Sequence, residues 1–353
     1  MAKVVNLISD YPRQELAAHL LAVISFIQEK RKKKGFLSRK EEVIDAIRLG
    51  YIPLKGVSRD NLSLIVDGLC SLEPSFILED VSLWESAIRS IRTLDHRTFV
   101  SKASALASFR SSARNVVLRG VLPSYFFPLL NDTSEVEIEP PTSSCDPLSS
   151  RELKEIVSVL DEIERSAIRF RELASEVRLA GEDIVRDIDS RIEMYPPDST
   201  MRKEYRRERD HVVSSYTSLA SRLERAATQY EELLQTLTSA PPVKSILMPV
   251  YLVETKGKER RHFLITNLRF KRPGLTQKIK DFFGRFDSLF DETIISKRLS
   301  LILKVECIPW GPNLLTEDVK DLIYGELASL EEEGYVDEDY IEAIAELISK
   351  SLF

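Results

Sequence analysis

Between Ser149 and Leu237 apolar residues recur in alternating steps of three and four. One stripe runs from Leu153, Ile156 and Leu160 to Ile188, and a second from Tyr205 to Leu237. A period of 3.5 residues is that of a coiled-coil seam, with charged residues on the outward faces. The stripes mirror each other about Tyr195-Pro196-Pro197-Asp198, and opposed pairs such as Leu160 with Leu233 and Phe170 with Leu223 share a residue-number sum of 393. The sequence therefore predicts an antiparallel coiled-coil hairpin over 149–239, with arms on the order of 60 Å long at about 1.5 Å per residue. In this register Gly181 faces Val212 and Arg209 faces Ile184. A Gly costs about 1 kcal/mol of helix stability relative to Ala and leaves a gap, so the distal third is expected to be looser than the base.

The flanking pattern completes a mainly helical α+β chain. Residues 1–130 are expected to form an N-terminal helical domain. It would hold a helix over 14–33, a capping box at Ser38-Arg39-Lys40-Glu41 opening a helix to Gly50, and a helix from Ser58 or Asp60 to Leu72. An Asp80-capped helix over 81–94 and another over 99–119 follow. The pair within 38–72 suggests a helix-turn-helix, but its connection from Gly50 to Val57 is long and contains Pro53, which favours plain packing. Residues 131–148 form a linker with a short strand over Glu135–Glu139. If that strand pairs with the one starting at Ile246, both arms of the hairpin share one platform. Residues 240–353 read as a small α+β domain: strands over 246–254 and 260–269, a helix over 275–290, a strand over 299–307, and acidic helices capped by Thr316 and Asp337, with Gly334 between them.

Composition narrows the chemistry. Across 353 residues the net charge is −6, so attraction to a polyanion must come from local clusters. Cys70, Cys145 and Cys307 lie far apart, giving neither a disulfide framework nor a zinc motif and favouring a reducing cytoplasm. The apolar run 16–27 is too short to cross a membrane, and no signal peptide is expected. Abundant Arg, Lys and Glu beside sparse Gln and Asn is a thermophile-like bias.

Three basic clusters stand out. Lys30, Arg31, Lys32, Lys33 and Lys34 end the first helix, where cations also suit the macrodipole. Lys256, Lys258, Arg260, Arg261, Arg269, Lys271, Arg272, Lys278 and Lys280 form the densest candidate polyanion surface, with Phe rings that strand and helix spacing assigns to packing. Arg202, Lys203, Arg206, Arg207 and Arg209 mark the rod tip, interleaved with acids. The acidic helices over 316–346 are expected either to cover the basic sheet or to bind a basic partner. His19, His96, His211 and His262 are scattered, His19 on an apolar helix, and no nucleophile elbow, P-loop or dinucleotide fingerprint is present. These patterns lead to a non-enzymatic scaffold or adaptor without cofactor, carrying protein partners on a rigid arm. A nucleic-acid-associated protein using 256–285 and 30–40 is the alternative.

Overall fold

The computed structural model describes residues 2–11, 13–32, 43–59, 62–91, 95–109, 113–136, 150–257, 259–271 and 289–351. Strands and helices are mixed along the chain, which divides into two units. The first comprises Met1–Pro74, Arg119–Ser149 and Ser239–Phe353, the second Ser75–Leu118 and Ser150–Thr238.

The first unit is built on β1 (Ala2–Val5), β2 (Ile8–Ser9), α1 (Leu16–Lys32), β3 (Val43–Arg59) and β4 (Leu62–Asp67). After the excursion into the second unit come β7 (Thr133–Val136), β8 (Ile246–Lys256), β9 (Arg261–Ile265), β10 (Leu268–Phe270) and β11 (Phe290–Glu292). Helices α6 (Ile294–Ile302), α7 (Glu317–Glu332) and α8 (Glu338–Lys350) close it. One sheet has the order β4-β3-β8-β1-β7 with β9 pairing β8, and a smaller one the order β11-β10-β2. Strand β8 is buried along nearly its whole length, as its unbroken apolar run requires of a strand covered on both faces. Ile44, Ile47, Tyr251 and Val253 join α1, α7 and α8 in one core cluster, while Ile52, Leu54, Met248 and Val250 join Leu299 and Phe126 in another.

The second unit holds β5 (Ser75–Glu79), α2 (Val81–Arg89), α3 (His96–Ser108), β6 (Ala113–Val117), α4 (Ser150–Glu193) and α5 (Thr200–Thr238). The two long helices pack along each other and run antiparallel, since contact positions rise on α4 as they fall on α5. Phe170 meets Tyr230 at 5.7 Å, Gly181 lies under Tyr216, and Tyr195 stacks on Tyr205. The register therefore differs from the 393 rule by about one to two turns. Met194 and Tyr195 N–H groups donate to Arg191 and Ile192 carbonyls, prolonging the first arm past Glu193 and displacing the level at which the arms face each other.

The all-helical N-terminal region is corrected. Residues expected as helices over 41–50 and 58–72 are β3 and β4, which also removes the helix-turn-helix. The cause is a β-bulge between Ile44 and Ala46: it places Ile44 and Ile47, three apart, in the same core, a spacing that imitates a helix. The helix expected over 99–119 ends at Ser108 and gives way to β6, paired with β5. Strand β7 does not pair with β8, because β1 lies between them, antiparallel to β7 and parallel to β8. The segment 299–307 is the end of α6 and a 3₁₀ turn over Val305–Cys307, not a strand. Asp80, Thr316 and Asp337 cap α2, α7 and α8 as expected, and Gly334 follows α7 at a φ of +73°. The capping box at 38–41 and most of the helix expected over 275–290 fall outside the described residues; Phe290 is in β11.

Candidate functional site

In the second unit, small elements line the long helices. Arg222 on α5 donates to the Leu106 and Ala107 carbonyls at the end of α3, pairs with Glu79 of β5 at 3.5 Å, and lies 4.9 Å from the Trp84 ring centroid of α2. Tyr230 donates to the Glu79 carbonyl, and Arg169 of α4 pairs with Glu85 of α2. Further toward the tip, Glu208 lies 3.4 Å from His96 at the start of α3. Beside β6 a cleft of about 120 Å³ is bordered by Val159, Ile163, Val116, Tyr230 and the ion-paired Arg114 and Glu162. That volume falls well short of the several hundred Å³ of a typical small-molecule site.

Side-chain contacts cross between the two helices at the tip. Arg209 pairs with Asp189 of the opposite helix at 2.8 Å, and Arg202 donates to the Tyr195 carbonyl. Gly181 is no gap: a Cβ there would stand 2.3 Å from the Tyr216 ring, so the helices approach closely because this residue lacks one. Lys203, Arg206 and Arg207 are exposed, with Met194 beside the turn also open to solvent.

The two basic clusters of the first unit meet at β11. Lys30, over the Phe26 ring, lies 3.9 Å from Glu292, and Lys271 pairs with the adjacent Asp291. Alternation puts those two carboxylates on opposite faces of the strand, so the clusters converge on one edge without forming one flat surface. Burial raises the Glu292 pKa, against the opposing charges of Lys30 and Lys297. Lys297, absent from the sequence clusters, is thus a near neighbour; its signal would have been the α6 cap at Thr293. Lys256 and Arg260 are exposed, Arg261 is half-buried, and Arg269 lies 3.5 Å from Asp10. Arg31 and Lys32 complete the backbone of α1, while Lys33, Lys34, Lys258, Arg272, Lys278 and Lys280 lie outside the described residues.

The acidic helices have their own cation. Arg13 pairs with Glu326 at 3.0 Å and with Glu333, and the Tyr11 hydroxyl donates to Glu326. His19 is a core group: Gln14 Nε2 donates to the Ile8 and Tyr11 carbonyls, which leaves Gln14 Oε1 to accept from His19 Nε2 and His19 Nδ1 to accept from the Tyr251 hydroxyl. Burial lowers the His19 pKa to about 4.

Among the described residues no group of three or more His, Cys, Asp or Glu side chains could hold a metal ion, and no helix is long and apolar enough to cross a membrane. Comparison with protein-family models, with curated proteins and with solved structures gives no match to the chain.

Proposed function

We propose that the protein is a non-enzymatic cytoplasmic scaffold or adaptor, and that α4 and α5 form an antiparallel coiled coil whose tip presents a protein partner. The observation that carries this reading is the tip itself. It is held by Arg209 with Asp189 and by the Tyr195–Tyr205 stack, while Lys203, Arg206, Arg207 and Met194 remain exposed. A preorganised surface loses little freedom when a partner docks, whereas a frayed one must first be ordered. The test is affinity capture with the intact chain and with Lys203→Glu, Arg206→Glu and Arg207→Glu combined. A partner retained by the parent and lost by the variant supports the reading; the same proteins captured by both contradict it.

Exposed Lys256, Arg260 and Arg269 support a second reading, binding of a nucleic acid. Retention of DNA or RNA that falls steeply between low and physiological salt, and is abolished by Arg260→Glu with Lys271→Glu, would favour it over the adaptor.

A further inference from the structure

The first unit carries an apolar face that its own core does not use. Helix α6 buries Leu299 and Ser296, with Ile295 and Ile302 packed partly against the core around Met248 and Phe126. Its opposite face presents Ile294, Lys297, Arg298 and Leu301, at helical spacings of three, one and three. Leu301 is 84% exposed and Ile294 68%. An isolated exposed Leu is ordinary, but two large aliphatics one heptad apart on a nine-residue helix form a pair of anchors.

Charge selects the occupant. Helix α6 contains no acidic residue, and both cations between the anchors are exposed. Beyond its C-terminal end Lys304 and Arg119 both pair with Glu73, two cations on one carboxylate. Tyr125 is exposed on the 3₁₀ segment Ser124–Asn131, which packs against α6. A nucleic-acid backbone would leave Leu301 and Ile294 in water. An anionic membrane could take both anchors, but as an extended charged plane it would also meet Glu306, exposed just past the helix, which a narrow partner helix can avoid. A protein segment can address each cation separately and cover each aliphatic.

We propose that the outer face of α6 docks an acidic amphipathic helix of a partner protein, with Leu301 and Ile294 entering its apolar stripe and Lys297 and Arg298 meeting its carboxylates. This goes beyond the adaptor reading, because it gives the first unit a binding surface independent of the α4–α5 tip.

The test is fluorescence anisotropy with the full chain and a fluorescein-labelled helical peptide bearing Leu at seven-residue spacing flanked by Glu. Saturable, salt-sensitive binding is expected, weakened about tenfold or more by Leu301→Ser and by Lys297→Glu with Arg298→Glu. The same peptide with Lys in place of Glu should not bind, and the tip variant should bind like the parent. Circular dichroism checks that the variants fold, and Leu301→Ser alters a side chain the core does not contact. No saturable binding, or equal affinity for the variants, overturns the proposal. So does preferential binding to phosphatidylcholine vesicles containing phosphatidylserine that depends on the same residues, which would make the occupant a membrane.

Discussion

The first unit sets His19, Gln14 and Tyr251 against its core, while the two long helices of the second are bridged by ion pairs along their surface. His19, Gln14 and Tyr251 form a chain of hydrogen bonds against the core of the first unit, and Tyr11 reaches the buried Glu326. On α4 and α5 the cross-helix pairs Arg171–Glu231, Arg178–Glu224 and Arg209–Asp189 are each about half exposed. Exposed pairs contribute roughly 0–1 kcal/mol each, whereas a buried group that loses its partner costs about 1–3 kcal/mol. The two units should therefore respond to different insults: the second to changes in seam packing, the first to pH and to loss of a hydrogen-bond partner.

The largest expected effect is in the seam. Phe170 is fully buried against Tyr230, so Phe170→Ala should destabilise the second unit by about 3–5 kcal/mol in denaturant titration. A loss below about 1 kcal/mol would show that α4 and α5 do not rely on this contact.

Acid should act on the first unit through His19. Its folded pKa, about 4, lies below the ordinary 6.5, so both folded and unfolded states are neutral at higher pH and the group has no effect there. As pH falls through 6.5 the unfolded state takes a proton first, and stability drops by up to about 1.4 kcal/mol per unit, about 3 kcal/mol in all, levelling off near pH 4. Burial raises the carboxyl pKa of Asp67 and Glu292, which act in the opposite sense in the carboxylate range. The readout is thus the difference in pH slope between the parent and His19→Gln, and identical slopes would remove His19 from the account.

A smaller effect tests the close approach at Gly181. A methyl there meets the root of the Tyr216 ring; overpacking of this kind costs about 1–3 kcal/mol and the helix preference for Ala offsets about 1. Gly181→Ala should lower the melting temperature, contrary to the expectation from the seam pattern, and a rise would mean that the helices are farther apart than described. Least of all, Arg171→Ala should change stability by under about 1 kcal/mol.

What the sequence disclosed follows the same division. The long helices were legible because one period of 3.5 persists over 44 and 39 residues, and the caps at Asp80, Thr316 and Asp337 because a short polar side chain announces each helix start. Strand β3 was hidden by its bulge, and β5 and β6 by lengths of only five residues, too short to establish alternation. Gly181 looks like a defect in the sequence because one-dimensional pairing sets it against Val212, whereas its neighbour is Tyr216, one turn away. The basic clusters were visible as composition, but their meeting at β11 depends on strand pairing that brings Lys271 beside Asp291 and on the packing of α1, which no local pattern encodes. The α6 face is hidden in the sequence because a strand expected over 299–307 splits it, with Leu301 inside the strand and Ile294, Lys297 and Arg298 outside any expected element.

The adaptor reading depends most on the long helices pairing within one chain in the register described. Arg171 lies opposite Glu231 at 2.7 Å, both accessible at the surface, while the mirror rule would set Arg171 opposite Arg222. Cross-linking of Arg171→Cys with Glu231→Cys by a short bis-maleimide at low protein concentration, followed by mass spectrometry and electrophoresis, measures this directly. The account predicts an intramolecular cross-link formed preferentially by that pair over Arg171→Cys with Arg222→Cys. A cross-linked dimer from the first pair, or preferential closure of the second, would contradict it.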